Sequence, residues 1–503
     1  MRVLNGGPGI HINEAVLFPF DESSVPLRYR LRIGLVPALN PYKPHERVLE
    51  QGNIKDPDGL GMHYYGSVVR VGDTLRMWYG GYGKDNGEDG LRMCYAESKD
   101  GIHWDKPNLG LVEFNGSTQN NLVRFDSEYK SNMTSCLIIY EPEDPDPTRR
   151  FKLINEVNPF ITIAAFSPDG LNWTESPHNP ILKHNTIECG GLMKFGDCYF
   201  LNGQGGNVGT KRALATYISY DFDNWSDAVS VGLRRDRPPY QEIAGPHAGE
   251  QVHLGASLWN RGNVVLGIYG MWHGESNDRS LISMDLGFVT SNDGLHFVEP
   301  VPDLKLIECY EIVPEKGEGG SSGPIEAPKA EQGQGFENVG DETLIWYWGW
   351  GAGYICVARW PRDRVGYAEA VPDPKPKLLF PEDTHDMFWG NHIQIPIEKT
   401  NPHFISCPIA LDKEGARIFI NADGLSQESV VKVEILDDKL RPIPGYSGDA
   451  CVPITEGGLR QPVSWQGNNV LGQYTHPIRV KVLLNGDRLE EANLYAAYVV
   501  EED

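Results

Sequence analysis

The chain has 503 residues, of which 40% are hydrophobic and 10% aromatic, so it is long enough to form more than one well-packed domain. Acidic residues outnumber basic ones by 69 to 45, and the formal net charge is −24. That distributed acidic excess excludes the basic stripe by which proteins bind a nucleic-acid backbone or an anionic membrane.

The first residues, MRVLNGGPGIHINEAVLF, show no long apolar core after their single arginine, so we expect an unexported, cytoplasmic protein. No later stretch approaches the roughly 18 apolar residues that a membrane-spanning helix needs. The eight cysteines lack metal-ligand spacing, and most lie in apolar strand-like runs. We interpret them as buried free thiols of a reducing compartment.

A short phrase recurs four times along the chain. Its copies are SKDGIHW, SPDGLNW, SYDFDNW and SNDGLHF, which begin at Ser98, Ser167, Ser219 and Ser291. Each copy follows a β-like run, supplies an Asp-Gly or Asp-Phe-Asp-Asn turn, and ends on an aromatic residue that can pack beneath the turn. The phrase predicts a repeated hairpin whose aspartates have a structural role.

A second unit, made of an apolar strand, a polar turn and another apolar strand, occurs five times. Its copies are GSVVRVGDTLRMWYGG, TSCLIIYEPEDPDPTRRFKLI, GGLMKFGDCYFLNG, GASLWNRGNVVLGIYG and FENVGDETLIWYWGW. Five units spaced roughly 50 to 75 residues apart, each with about four strands, are typical of propeller blades. We therefore predict an all-β chain with a five-bladed β-propeller over residues 61–370, and an N-terminal extension, residues 1–60, packed on it.

From about Gly366 the repeat stops and alternating strands follow, with turns at Asp423-Gly424 and Asn485-Gly486. This pattern predicts a β-sandwich over residues 371–503. The proline-rich segment Pro372 to Asp383 is interpreted as a linker or an excursion between the two domains.

The inner strands of a propeller line a central funnel, so residues at their entrances converge on one small volume. Aligning the hairpin turns places Tyr64, Glu188, Leu254 and Gln332 at equivalent positions, with His63 and His253 one residue earlier and Asn132 near the entrance of blade two. We predict that the inner-strand entrances cluster around one cavity. The expected substrate-binding residues are His63, Tyr64, Asn132, His253, Gln332 and Trp272.

Glu188 is an acid at the entrance of an otherwise apolar inner strand, in NTIECGGLMKFGD. Partial burial there raises the pKa of a carboxyl, which lets it donate a proton near neutral pH. The alternative is a strand-end glutamate paired with a basic residue of a neighbouring blade.

Glu188-Cys189, followed two residues later by Leu192-Met193, resembles the Glu-Cys-Pro-Asp-Leu-Phe motif of invertase and fructanase glycosidases, whose superfamily includes arabinanase-like enzymes. The resemblance implies a five-bladed propeller with a C-terminal β-sandwich, and a general acid at Glu188. The segment Lys55 to Gly59 resembles the nucleophile motif of that family, Asn-Asp-Pro-Asn-Gly, which implies a base or nucleophile at Asp56. The Arg-Asp-Pro motif of the second blade is missing, with Asn132-Met133-Thr134 in its place.

Other acids compete for the role of second carboxylate. Blade register favours Glu250, and we expect either Asp56 or Glu250 within about 5 to 10 Å of Glu188. Glu326 and Glu337 flank the fifth inner strand, and each of these acids is more often solvated or ion-paired. We expect a sugar-stacking face with polar contacts at Trp272-His273 and at Trp389, Asn391 and His392.

The leading hypothesis is a glycoside hydrolase that acts on the end of a small oligosaccharide or furanoside through two carboxylates. A glycoside phosphorylase is the alternative; it requires converging cations, for which Arg212, Arg234, Arg235 and Arg261 are available. The third hypothesis is a non-catalytic carbohydrate-binding propeller. We expect no cofactor or metal, a carbohydrate partner, and no nucleic acid or membrane partner, and leave homo-oligomerisation open.

Overall fold

The computed structural model describes residues 1–38, 45–157, 161–182, 187–205, 211–236, 245–274, 276–310, 328–371, 401–413, 415–472 and 474–501. Within those ranges the regular structure is almost entirely β-strand, so the predicted all-β class is confirmed. The helical segments found there are single 3₁₀ turns, at Pro147–Arg149, Arg279–Leu281, Gly448–Ala450 and Leu489–Glu491. No helix in the described residues is long and apolar enough to span a membrane.

The chain divides into two compact units. The first comprises Gly6–Ile10 and Leu35–Val365, and the second comprises Met1–Asn5, His11–Gly34 and Gly366–Asp503. Residues 1–60 were expected to form an extension on the propeller, and this expectation is corrected. Four strands of this segment, Arg2–Val3, Glu14–Leu17, Leu27–Tyr29 and Leu31–Leu35, pair with strands of the second unit.

The first unit is a five-bladed propeller, as predicted. The four main strands of each blade pair antiparallel from an inner strand outward, and blades one and five are joined into one sheet by a parallel pairing of their inner strands. The strands, in that order, are Gly61–Val71, Thr74–Asp85, Glu88–Ser98 and Trp104–Asp105 in blade one; Leu137–Tyr140, Phe151–Val157, Ile161–Ser167 and Asn172–Glu175 in blade two, with Arg124–Asp126 beyond them; Ile187–Phe195, Cys198–Gly205, Ala213–Ser219 and Ser230–Leu233 in blade three; Gly249–Asn260, Val265–Gly274, Ser283–Ser291 and Lys305–Ile307 in blade four; and Ala330–Val339, Glu342–Gly349, Tyr354–Pro361 and Glu46–Glu50 in blade five.

The ring closes by exchange of strands between the two ends of the unit. Blade five takes its outermost strand, Glu46–Glu50, from the N-terminal side, where it pairs antiparallel with Tyr354–Pro361. Around the centre, each inner strand neighbours the inner strands of the two adjacent blades. The Glu46–Glu50 strand ties the N-terminal side of the unit to its last blade.

The inner strands are bulged at corresponding places. The register shifts between His63 and Ser67 in blade one, and between Cys189 and Gly191 in blade three. Blades four and five shift between His253 and Ala256 and between Gln332 and Phe336. A bulge bends its strand and re-aims the neighbouring side chains, so these shifts decide which residues face the centre.

Amide side chains bridge the inner strands where the strands diverge. Gln334 of blade five accepts a hydrogen bond from the Leu192 N–H of blade three and donates to the Ile138 carbonyl of blade two at 3.3 Å. Gln332 donates to the carbonyls of His253 and Gly255, at 3.0 and 3.2 Å. The centre is thus a hydrogen-bonded hub in which backbone groups that no strand pairs are satisfied by side chains.

The second unit consists of two six-stranded antiparallel sheets. One contains Arg2–Val3, Leu27–Tyr29, His403–Ile405, Ile409–Ala410, Ser429–Asp437 and Ile478–Gly486; the other contains Glu14–Leu17, Leu31–Leu35, Gly366–Ala370, Ala416–Asp423, Gly458–Pro462 and Asn493–Glu501. Buried residues of both sheets form one hydrophobic core. The N-terminal amine pairs with Glu501 at 2.5 Å, which links the start of one sheet to the last strand of the other.

The four repeated phrases form one turn structure, as predicted. In the second copy, Ser167 Oγ accepts from Gly170 N–H at 2.9 Å, and Asp169 Oδ1 accepts from the N–H groups of Leu171 and Asn172, each at 2.8 Å. Trp173 donates its indole N–H to the Gly170 carbonyl beneath the turn. Burial alone would raise the pKa of Asp169, but these hydrogen bonds to the charged form lower it. The aspartate is structural.

We expect Asp169→Ala to lower the free energy of unfolding of the propeller by about 2 kcal/mol, because two backbone N–H groups lose a charged acceptor. Urea unfolding followed by tryptophan fluorescence measures this. Since the pKa of Asp169 is lowered in the fold, its contribution is full above its unfolded pKa of about 3.9 and fades as the pH falls through the folded value. Asp73→Ala, at an exposed hairpin turn, is the control; equal losses in both variants would contradict the assignment.

Candidate active site

Three glutamates from three blades interact at the centre of the propeller. Glu188 lies in the inner strand of blade three, Glu331 in that of blade five, and Glu156 in the second strand of blade two. Burial and the charge of Glu188 raise the pKa of Glu156 to about 8. Burial also raises the pKa of Glu331 to about 8, against opposing effects of Tyr65, Lys329 and Arg279. The cluster therefore retains protons near neutral pH.

Glu188 is the least buried member of the cluster. Glu331 and Glu156 are 1% and 7% exposed, whereas Glu188 is half-buried. Burial raises the pKa of Glu188, while Arg212 and Arg279 oppose that shift. Gln204, its register partner on the next strand, donates to Glu188 Oε2 at 2.8 Å. The Glu188 carboxyl is thus oriented by an amide and accessible to a ligand.

The other two glutamates, Glu156 and Glu331, lie deeper in the protein than the Glu188 carboxyl. Glu156 accepts a hydrogen bond from the Cys189 N–H at 3.3 Å, next to Glu188 in sequence. Glu331 accepts a very short hydrogen bond from the Tyr65 hydroxyl, and its other oxygen lies 3.7 Å from His253 Nε2. Both carboxyls support the site from within the protein.

Tyr65 occupies the middle of the cluster. Its half-buried ring packs edge-on against His63 and Trp348, with centroids 4.3 and 5.6 Å away. Its hydroxyl lies between Glu331 and His253 Nε2, the latter at 3.5 Å. The bulge of blade one, between His63 and Ser67, brings this residue to the centre.

Aromatic rings and cations form the blade-four and blade-five side of the site. Trp350 is half-buried and stacks against His253, with centroids 6.4 Å apart and planes within 13°. Arg212 lies 3.9 Å over the Trp272 ring, and Arg279 lies 5.1 Å over that of Trp350. Burial lowers the pKa of Arg212, and the nearby Glu188 charge opposes this. The surface combines stacking faces with positive charge.

Several predicted residues do meet here. Glu188, His253 and Gln332 belong to the site or its framework, and His63 packs on Tyr65 while its Nδ1 lies 3.0 Å from the Thr134 carbonyl. Burial lowers the pKa of His63 to about 4, so its imidazole is neutral. Trp272 is fully buried and donates to the His247 carbonyl, so its ring packs against Arg212 and has no exposed face on which a sugar could stack.

Two predicted second carboxylates have other partners. Asp56 accepts hydrogen bonds from the Asn53 N–H at 2.6 Å and from the Asn53 side chain, as a turn aspartate does. Glu250 is exposed and binds Arg235 at 2.6 Å and His273 at 2.9 Å. Neither makes a described contact with Glu188, and Glu156 and Glu331 interact with it instead.

Two predicted substrate-binding residues are also corrected. Tyr64 is fully buried in the hydrophobic core of blade one, because adjacent strand residues face opposite sides and the bulge sends Tyr65 to the centre. Asn132 lies in the connection before blade two, where its carbonyl accepts from Asn155, and Thr134 takes the place beside His63. Glu337 pairs with Arg70 at 3.2 Å. Glu326, Trp389, Asn391 and His392 lie outside the described residues.

Sequence reasoning missed Tyr65, Glu156, Glu331, Arg279 and Trp350. The available signal was the glycine beside each inner-strand entrance, as in Tyr65-Gly66 and Gly333-Gln334-Gly335, which marks a bulge. Counting straight through such a bulge displaces the predicted register by one or two residues.

Comparisons with known proteins give similarity at low identity. No family model matches the chain. Two uncharacterized proteins from strains of Mycobacterium tuberculosis are 36% identical to it over 73 residues, which is 14% of this chain and 23% of each relative. The match thus spans less than a quarter of those relatives.

Solved structures with a similar layout include a glycosyl hydrolase from Bacteroides ovatus, with 14% identity and a TM-score of 0.40, covering 67% of this chain and 96% of that one. Another is described with the GH130 family of mannoside phosphorylases, which contains hydrolases of β-1,2-mannosidic linkages in Candida mannan. It is 13% identical, with a TM-score of 0.43, and covers 67% of this chain and 99% of its own. A Bombyx mori GH32 β-fructofuranosidase covers 92% of this chain and 95% of its own, with 12% identity and a TM-score of 0.38. Each of these three TM-scores lies below 0.5.

We expect Arg212→Ala to raise the pKa of Glu188, because removal of the nearby positive charge disfavours the carboxylate. A carbon NMR titration of labelled glutamates, with the Glu188 signal assigned from Glu188→Gln, measures the change. Arg234→Ala is the matched control, since Arg234 pairs with Asp236 at 3.0 Å. An unchanged Glu188 pKa in Arg212→Ala would contradict the described electrostatics.

Proposed function

We propose that the propeller hydrolyses a glycosidic bond at the end of a small saccharide, with Glu188 as the general acid. The observation that carries the proposal is the central cluster of three glutamates, of which Glu188 alone is both accessible and oriented by a neutral amide. Burial favours its protonated form, as proton donation to a leaving oxygen requires.

The surroundings of Glu188 suit a sugar. Tyr65 and Trp350 are half-buried aromatic rings that can stack on the apolar face of a pyranose or furanose. Glu188, Gln204 and Arg212 offer acceptors and donors for ring hydroxyls nearby. We expect the funnel between five inner strands to be narrow, which favours cleavage at a chain end over cleavage within a long polymer.

We expect Glu188→Gln to reduce kcat on aryl glycosides by about a hundredfold or more, because the amide keeps the shape of the side chain but has no acidic proton to donate. Thermal stability should be nearly unchanged. The assay uses a panel of aryl pyranosides and furanosides. Glu250→Gln is the control and should retain activity; a fully active Glu188→Gln enzyme would place the acid elsewhere.

Phosphorolysis is the second candidate, and the convergence of cations favours it. Arg212, Arg279 and Lys329 all influence the pKa values of the glutamate cluster, so they lie around it. Of the four arginines considered from sequence, Arg212 alone shows this association. Arg234, Arg235 and Arg261 pair with Asp236, Glu250 and Asp363. A cationic site next to the acid could hold a phosphate nucleophile.

Product analysis with and without inorganic phosphate separates the two candidates. Hydrolysis yields the free sugar at a rate independent of phosphate, whereas phosphorolysis yields a sugar 1-phosphate and needs phosphate. We expect turnover without phosphate. Arg212→Ala should then change KM more than kcat, because the Arg212 guanidinium binds the substrate whereas Glu188 transfers the proton. Strict dependence on phosphate would favour the phosphorylase.

A further inference from the structure

The proposed hydrolysis requires a second group opposite Glu188, and neither remaining glutamate is exposed to supply it. Glu331 is 1% exposed and covered by Tyr65, and Glu156 is 7% exposed and bound to the Cys189 backbone. An inverting glycosidase needs a base that removes a proton from the attacking water. A base that cannot touch water must act through another side chain.

Tyr65 is placed to be that side chain. It is half-buried at the funnel, and its hydroxyl donates a very short hydrogen bond to Glu331. Its ring is fixed on two sides by His63 and Trp348. Its hydroxyl oxygen can still accept a hydrogen bond, because a phenol both donates and accepts.

We propose that Tyr65 is a catalytic residue that relays a proton from the attacking water to Glu331, which acts as its positioning residue and final acceptor. This inference rests on the proposed hydrolysis. Water forms a bond to the anomeric carbon, its proton passes to the Tyr65 oxygen, and the phenolic proton passes to Glu331. The bond from that carbon to the leaving oxygen breaks as the oxygen takes the proton of Glu188. Glu331 must enter this step ionised, and because its pKa is raised to about 8, we expect turnover to rise as the pH approaches 8. Glu331 then gains one proton and Glu188 loses one, and exchange with solvent restores both.

A relay fits Tyr65 better than nucleophilic attack does. Burial and the nearby glutamates raise the pKa of Tyr65 well above its ordinary value, so a free phenolate is strongly disfavoured. A concerted relay never forms one, because the oxygen receives a proton as it gives one up. His253 is a poorer final proton acceptor than Glu331, because burial lowers the pKa of its imidazole well below the usual value and so disfavours the protonated ring.

The test compares Tyr65→Phe, Glu331→Gln and their double variant on an aryl glycoside cleaved by the wild type, in phosphate-free buffer. We expect each single variant to lose about a hundredfold in kcat with little change in KM, and the double variant to lose no more than either one. Azide needs no deprotonation, so it should restore turnover in both variants and yield a glycosyl azide of inverted configuration. A purely structural role would give no such rescue.

Tyr64→Phe is the matched control, because the adjacent tyrosine is buried in the core of blade one and its hydroxyl has no partner among the described residues. It should keep wild-type kcat. If Tyr65→Phe does not fold, as judged by circular dichroism, Glu331→Gln with azide decides the question. Full activity of the single variants, or a glycosyl group trapped on Tyr65 by a fluorosugar, overturns the relay while leaving the hydrolase intact. A wild type that cleaves no glycoside overturns both proposals.

Discussion

The propeller depends on how the backbone groups of its five inner strands are satisfied. Neighbouring inner strands diverge, so a continuous ladder of hydrogen bonds between blades is impossible, and a buried N–H or C=O group without a partner is costly. Gln334 and Gln332 solve this by bonding to backbone groups of blades two, three and four. Ser67 does the same for blade two, accepting from Ile138 and donating to Cys136.

The same constraint creates the site. Side chains can reach across only where the inner strands are bulged, and the bulges carry Tyr65, His253 and Gln334 toward the axis. Acids placed there lose hydration, which is why the pKa values of Glu156, Glu188 and Glu331 are all raised. Stability would favour neutral residues at these positions, so a three-carboxylate centre is a mark of function.

The different roles of the glutamates in the cluster follow from how deeply each side chain is buried. The accessible Glu188 can meet a substrate, while the buried Glu331 influences it through the hydroxyl of Tyr65. Arg212 and Arg279 limit how far burial raises the pKa of Glu188, so the acid titrates closer to its ordinary range than burial alone would allow. Charge balance in the centre is therefore local and independent of the overall acidity of the chain.

The sequence by itself determined the features that depend on local chemistry: five hairpin units, the Ser-x-Asp turns with their packed aromatic residues, and an acid at the entrance of the third inner strand, Glu188. Each follows from neighbours along the chain, such as Asp169 capping the next residues. Only the tertiary structure decided that Tyr65 and not Tyr64 faces the centre, that Glu331 and Glu156 interact with Glu188, and that the first residues complete the sheets of the second unit. The physical reason is that a bulge reverses the side of the strand on which a residue lies, and that burial of an acid depends on strands of other blades, which no local pattern records.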